Sequence, residues 1–400
     1  PVAPELATFI PRFRAQDTQS RQMMPVPRGN RIATVLQVTR GNFVGPLKFA
    51  ADNLPPGITM NTVEMPPNID RFPVVFEANP EAALASALTN VRVAHTDAKK
   101  NIRGGFGHTI EMVRGSGNRI FYRTSVDRLA VSVAEPAPFR IEIDTLPTAI
   151  LQRGSLRLKV RAIRDKDYDN AITLRLPWKP PGVSSSGTIS LPKGKSEIDY
   201  PLTANGGAAI GTWHIAVLGE ANTKTGPIIV SSALTELHVE KPYVNVKIEM
   251  AAIERGQAGD LFCKVEHLRP FDGEAEVRLN GLPAHTSTES RKITKETKEL
   301  IFPINSTKDA RAQTSKTLFA SVNIPVNGHV LRQSAGSGGQ LRIDNPPKAR
   351  KNAPPKPKSK PDAKAKEAPK PKPKKPLNRL EKLRLIAKER AAQRAAQATP

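Results

Sequence analysis

The stretch NFVGPLKFAADNLPPGI, residues 42–58, returns twice in altered form. The later versions are DYDNAITLRLPWKPPGV at 167–183 and PFDGEAEVRLNGLPAH at 270–285. Phe43 lies 14 residues before Gly57, and Tyr168 lies 14 before Gly182. Phe271 lies 11 before Leu282-Pro283, the distance from Phe43 to Leu54-Pro55. Between these marks alternate residues are apolar: Leu47 and Phe49, then Ile172, Leu174 and Leu176, then Ala275, Val277 and Leu279. That period of two marks a half-buried strand. LPPG cannot continue a central strand, because proline lacks the N–H the ladder needs. It reads as a turn in which glycine supplies backbone freedom. The third copy carries Ala284 and His285 in place of the second proline and the glycine, so its turn is expected to differ locally. Phe43, Tyr168 and Phe271 are expected to plug the end of a core.

The likeness continues downstream. FPVVFEAN, IDYPLTAN and LIFPINST are followed by LTNVRVAH, TWHIAVLGEA and TLFASVNI, again alternating. Each copy closes on a strand and a proline, at Pro136, Pro242 and Pro346, spaced 106 and 104 residues apart. About 100 residues is the size of one immunoglobulin-like sandwich. Short strands punctuated by Pro, Gly and Asn, with almost no helical periodicity, indicate antiparallel sandwiches. The expected architecture is all-β: three immunoglobulin-like β-sandwiches in tandem, over 1–135 (with an N-terminal extension), 136–241 and 242–346. A Lys/Pro-rich disordered linker at 347–376 and a short basic amphipathic helix at 377–396 follow. The first copy also carries the insertion TDAKKNIRGGFGH, whose glycines 104, 105 and 107 read as a hairpin tip. No helix pattern follows them, which excludes a phosphate loop.

A chain of 400 residues is too long for one ordinary core. Aromatics make up only 5% of it, so the cores rest on Val, Leu and Ile. No apolar run approaches the ~20 residues of a membrane-spanning helix. PVAPELATFIPRF lacks the basic start and apolar stretch of a signal peptide. The single cysteine, Cys263, excludes an internal disulfide framework and reads as a buried strand residue beside Leu261 and Val265. The net charge is +24, of which residues 346–400, with 18 Lys and Arg against 4 Asp and Glu, carry +14. A Lys/Pro tail of this composition cannot bury a core. It is expected to contact polyanions without specificity.

The copies resemble the C-terminal part of large secreted proteins of planctomycete-type bacteria, which carry a pre-peptidase C-terminal (PPC) domain followed by immunoglobulin-like modules. The residues carrying the likeness are VTRGNFVGPLKFAADNLPPGI, IRGGFGH, VDRLAVSV, PGVSSSGTISLPKGKSEIDYPL, TWHIAVLGEAN, KIEMAAIERGQAGDLFCKVE and KPLNRLEKLRL. The resemblance implies an exported, non-catalytic region at the periplasm, cell surface or outside the cell. Neither the pre-peptidase domain nor a protease domain stands in this chain.

No catalytic constellation is visible. The seven histidines fall in no metal-binding spacing, and no G-x-S-x-G elbow occurs. GSGGQ, 336–340, lacks the Asp of a serine-protease loop and reads as a flexible hairpin. The metal candidate is DKDYDN, where Asp165, Asp167 and Asp169 alternate as oxygen ligands do in a calcium loop. It lacks the glycine, and Leu176 stands where an EF-hand has glutamate. Calcium is thus the one cofactor with any footing. Trp178 and Trp213 read as packing residues, with a carbohydrate platform on Trp178 as the alternative. The expected function is a structural or adhesive region of an envelope or extracellular protein, its partner an envelope polymer or protein. The rivals are the accessory region of a secreted serine peptidase and tail-driven nucleic-acid binding.

Overall fold

The computed structural model describes residues 6–9, 23–114, 117, 119–224 and 226–346. The linker at 347–376 and the helix expected at 377–396 lie outside the described residues. The described residues are mostly β-sheet, and one strand topology occurs three times among them. In each copy an opening strand pairs antiparallel with the next long strand: Leu6–Phe9 with Arg31–Val38, Phe139–Ile143 with Gly154–Arg164, Val244–Ile248 with Ala258–His267. A short strand then crosses to the other sheet and lies parallel to the copy's last strand. These pairs are Met23–Pro27 with Leu129–Ala134, Ile150–Leu151 with Thr235–Glu240, and Ala251–Glu254 with His329–Asp344. Splitting the opening segment between both sheets covers an edge of each, where unpaired N–H and C=O groups would otherwise invite aggregation.

The proline turn is the same in all three copies. Ile58 donates its N–H to Pro55, Val183 to Pro180 and Thr286 to Pro283, at 3.0, 3.0 and 3.2 Å. The next bond also repeats: Asn79 donates to the Gly57 carbonyl, Asn205 to Gly182 and Thr307 to His285. The expected local difference in the third turn does not occur. His285 takes the left-handed backbone of its glycine counterparts, with φ +63° against +83° at Gly57 and +80° at Gly182. The turn's hydrogen bonds hold His285 in a conformation that L-residues otherwise avoid.

A second recurring device closes one end of each sandwich. A side chain at or just past the end of the long strand that pairs with the opening strand reaches the carbonyl two residues before the neighbouring strand begins. Arg40 Nε donates to Ile69 O at 3.2 Å, and Arg164 Nε to Lys195 O at 3.2 Å. His267 Nε2 does the same to Thr297 O at 2.8 Å. Arg40 and Arg164 also bind carbonyls of the following loop, Gly45 at 2.7 Å and Asn170 at 2.5 Å. The repeated aromatics pack beside these clamps: Tyr168 stacks on Phe139 and Phe271 meets Tyr243 edge-on.

The copies are not beads on a string. In the first, Ile32 to Leu36 and Phe72 to Phe76 are buried at every position. Alternation puts Ala33, Val35 and Val75 on the face opposite Ile32, Leu36, Val74 and Phe76. One face closes the first sandwich. The other receives the second copy, whose strand Gly226–Ser231 packs on Arg31–Val38. Trp178 meets Phe72 edge-on at 6.1 Å, and Asn30 donates a buried bond to Phe139 O at 2.8 Å. A single apolar cluster consequently runs from Met24 to Val239. The second junction is a shared sheet. Strand Gly154–Arg164 pairs with His329–Asp344 through Gly154↔Gln333 and Ser155↔Arg332. One nine-stranded sheet therefore passes through the second and third copies.

Two loop expectations are corrected. The glycines of the first insertion form no tip: Arg103–Gly105 is a strand paired with Ser86–His95. The chain turns earlier, in a 3₁₀ turn Ala98–Lys100 capped by the Asp97 side chain and ended by Asn101 at φ +49°. GSGGQ is no hairpin either. It lies inside the long strand His329–Asp344, where it forms a bulge against Gln313–Val326.

Candidate functional site

The residues singled out in the sequence do not converge. Asp165, Asp167 and Asp169 share one loop, but Asp169 is paired with Lys193 at 3.3 Å. Among the described residues no group of three or more His, Cys, Asp or Glu side chains could hold a metal ion, this loop included. Trp178 is only 9% exposed and packed against Phe72 and Trp213, so it offers no carbohydrate platform. Trp213 donates its indole N–H to Ala209 O at 2.8 Å. Cys263 is buried, and desolvation, with Glu249 adding to it, pushes its thiol pKa up to about 12. The thiol therefore stays protonated and unreactive in the folded chain.

The histidines are structural or superficial. His95 accepts the Asp97 N–H on Nδ1 at 2.9 Å and donates from Nε2 to Val44 O at 3.2 Å, so it is the neutral Nε2–H tautomer. His214 and His238 flank Glu236 at 3.7 and 3.6 Å. Burial pulls the His214 pKa below its ordinary value, against the pull of Glu236. No helix among the described residues is long and apolar enough to cross a membrane.

What the fold does assemble is a groove of about 770 Å³ on the shared sheet at the second junction. Five adjacent strands contribute. The register runs Thr203, Ser155, Arg332, Asn323, Glu276 in one row. Ser334, Ser321 and Arg278 form the next row. Phe319, 39% exposed, lies opposite Asn280 at the far end. This face is polar because the opposite face, with Leu202, Ala320 and Val322, lines the cores.

Arg278 is bidentate to Glu276, Nε donating to Oε1 and Nη2 to Oε2, each at 3.1 Å. Glu276 also accepts from Asn323, and hydrogen bonds, Arg278 first, hold its carboxyl below the usual range. Arg153 and Arg332 are different. Both are exposed on the groove, and neither takes part in any ion pair found among the described residues. Sequence reasoning missed this site, because its residues come from two repeats and meet only through the inter-copy strand pairing. The one visible signal was the departure from glycine at Arg153, in the turn before the second long strand.

No family model matches the sequence, and no curated protein matches it. Solved structures align at low similarity. The fibronectin(III)-like modules of Clostridium thermocellum CbhA align at 12% identity over 51% of this chain and 94% of their own, with TM-score 0.19. The D0-D1 domain of intimin aligns at 12% over 50% and 97%, with TM-score 0.19. A Porphyromonas gingivalis protein of unknown function aligns at 8% over 52% and 100%, with TM-score 0.20.

Proposed function

We propose that this chain is a non-catalytic structural or adhesive region of an exported bacterial envelope or extracellular protein, made of sandwiches over 1–135, 136–241 and 242–346. The basic segment beyond 346 adds nonspecific contact with polyanions. The observation that carries this reading is the way the copies are fused. A shared apolar cluster joins the first and second, and an unbroken sheet joins the second and third. Ordinary tandem domains meet through small interfaces and move relative to one another. Here that freedom is removed at both junctions, which suits a spacer that must hold a binding surface at fixed distance and orientation. The resemblance to PPC-type secreted proteins agrees with this role and with an envelope or extracellular location.

The test is binding of the purified chain to bacterial cell envelopes and to isolated anionic polymers, with and without residues 347–400. Envelope retention that survives the deletion, at reduced affinity and with a weaker salt dependence, is expected. Turnover of a peptide library by the purified chain, or salt-resistant and sequence-selective DNA binding, would overturn the reading.

A further inference from the structure

The groove of the shared sheet has the makings of a ligand site, and the backbone at Arg153 carries the argument furthest. In the turn before the second long strand, the first and third copies use glycine in the left-handed region, Gly29 at φ +66° and Gly256 at φ +80°. The second copy places Arg153 there at φ +59°. The glycine has not been lost but moved one residue on. Gly154 stands where the other copies have Asn30 and Gln257, and a Cβ there would lie 2.6 Å from Arg332 O. The third copy's last strand crosses at that spot, so Gly154 is explained by the junction. Nothing in the packing requires Arg153. A non-glycine residue held in this conformation is strained, and such strain collects at functional sites. Its main chain is pinned, donating to Asn205 O and accepting from Ser334 N–H. Its side chain runs over Gly206, where a Cβ would come within 3.1 Å of Nε. The pinned main chain places the Arg153 side chain on the groove, beside Arg332 of the third copy.

We infer that this groove binds an acidic oligosaccharide, with Arg153 and Arg332 receiving its carboxylate or sulfate groups. Guanidinium forks match both anions bidentately. The two rows around them offer hydroxyls and amides from Ser155, Thr203, Ser334 and Asn323, which suit sugar hydroxyl groups as donors and acceptors. Strands lie about 4.8 Å apart, so five of them set a path of about 19 Å across which a linear chain can lie. Exposed Phe319, further along the strand that carries Ser321 and Asn323, adds an apolar face beside that path for a sugar ring. Single-stranded nucleic acid would require successive aromatic platforms, and no aromatic residue lines the groove. The inference rests on the adhesive reading for the class of partner and names the chemistry that partner carries.

The experiment compares the full chain with its Arg153→Gly and Arg332→Ser variants. Arg153→Gly restores the residue type of the other two copies, so it should fold at least as well as the parent, which thermal unfolding checks. Binding is measured by calorimetry at about 0.3 M salt, where contacts of the Lys-rich segment beyond 346 are largely screened. The probes are a galacturonate oligomer, a sulfated heparin-type oligomer, a neutral cello-oligomer and single-stranded DNA. The expected result is binding of at least one acidic oligomer, weakened about tenfold or more by each variant, with the neutral oligomer inert. Which acidic oligomer binds distinguishes carboxylate from sulfate. Unchanged affinity in both variants, equal binding of the neutral oligomer, no binding of either acidic oligomer, or DNA binding with the same arginine dependence would each overturn the inference. If the arginine variants bind like the parent while envelope retention survives deletion of 347–400, the groove falls and the adhesive reading survives. If envelope retention is itself absent, that reading falls separately.

Discussion

His285 and its counterparts Gly57 and Gly182 show how far one position can be read from residue type. All three occupy the left-handed region and accept the same backbone bond. A Cβ on Gly57 would approach Ala82 Cβ to 2.7 Å, whereas the third turn accommodates a whole imidazole. His285→Gly should therefore stabilise the chain by about 1 kcal/mol, by removing the left-handed penalty, read as a rise in denaturant midpoint. Gly57→Ala should lower the midpoint, because clash and strain add. The spacing of prolines and glycines was legible from the sequence. That histidine would keep the turn was not, since residue type reports preference while the neighbouring bonds impose the angle. The burial of Cys263 was legible from its alternation with Leu261 and Val265, and it yields a pH prediction. Its folded pKa of about 12 is raised above the ordinary 9.0. The stability it contributes is complete below pH 9.0 and declines as pH rises toward about 12, by up to about 1.4 kcal/mol per pH unit. Comparing the pH dependence of parent and Cys263→Val isolates this slope. Equal slopes, or rapid alkylation of the native thiol at neutral pH, would contradict its burial as a neutral group.

Between elements, glycine marks where one strand passes close to another. Gly336 sits at φ +88° inside the bulge of His329–Asp344, and a Cβ there would collide with the Val246 carbonyl. Gly336→Ala should cost about 3 kcal/mol or more, from strain and steric overlap together, measured by chemical unfolding. A cost under about 1 kcal/mol would show that the bulge yields easily. The sequence stretch GSGGQ suggested a loop because glycine is the usual loop signal. Only the paired strand Gln313–Val326 and the crossing at Val246 reveal a strand interior. The doubly covered sheet of the first copy had a sequence signature that alternation alone overlooks. Phe72 to Phe76 is an unbroken apolar run, whereas Glu197–Ala204 buries every second residue from Tyr200 onward. An unbroken run in one of three otherwise alternating copies marks a strand covered on both faces.

At the scale of the molecule, the repeat spacing predicted three separate cores, whereas the buried residues of the described chain form two apolar clusters. The way the copies join was not legible, because each junction is made by residues more than 100 positions apart, such as Asn30 with Phe139 and Gly154 with Gln333. The first two copies share one apolar cluster, with Trp178 between Phe72 and Trp213. They should therefore unfold as one unit rather than as two. Removing that indole tests this directly. Trp178→Ala should cost about 3–5 kcal/mol, the usual range for a large buried aromatic. It should also change the form of the transition, because the cavity opens where the two copies meet. The parent is expected to lose near-ultraviolet signal and β-structure together over residues 23–241. In Trp178→Ala the first and second copies should separate into two steps. Residues 136–241 expressed alone would leave Trp178 without Phe72, and should melt well below the temperature at which the same residues melt in the full chain. Hydrogen exchange locates each step: amides of Arg31–Val38 and of Gly226–Ser231 should open together in the parent and apart in the variant. If they open apart in the parent as well, the junction transmits no stability, and the chain behaves as independent beads despite its shared core.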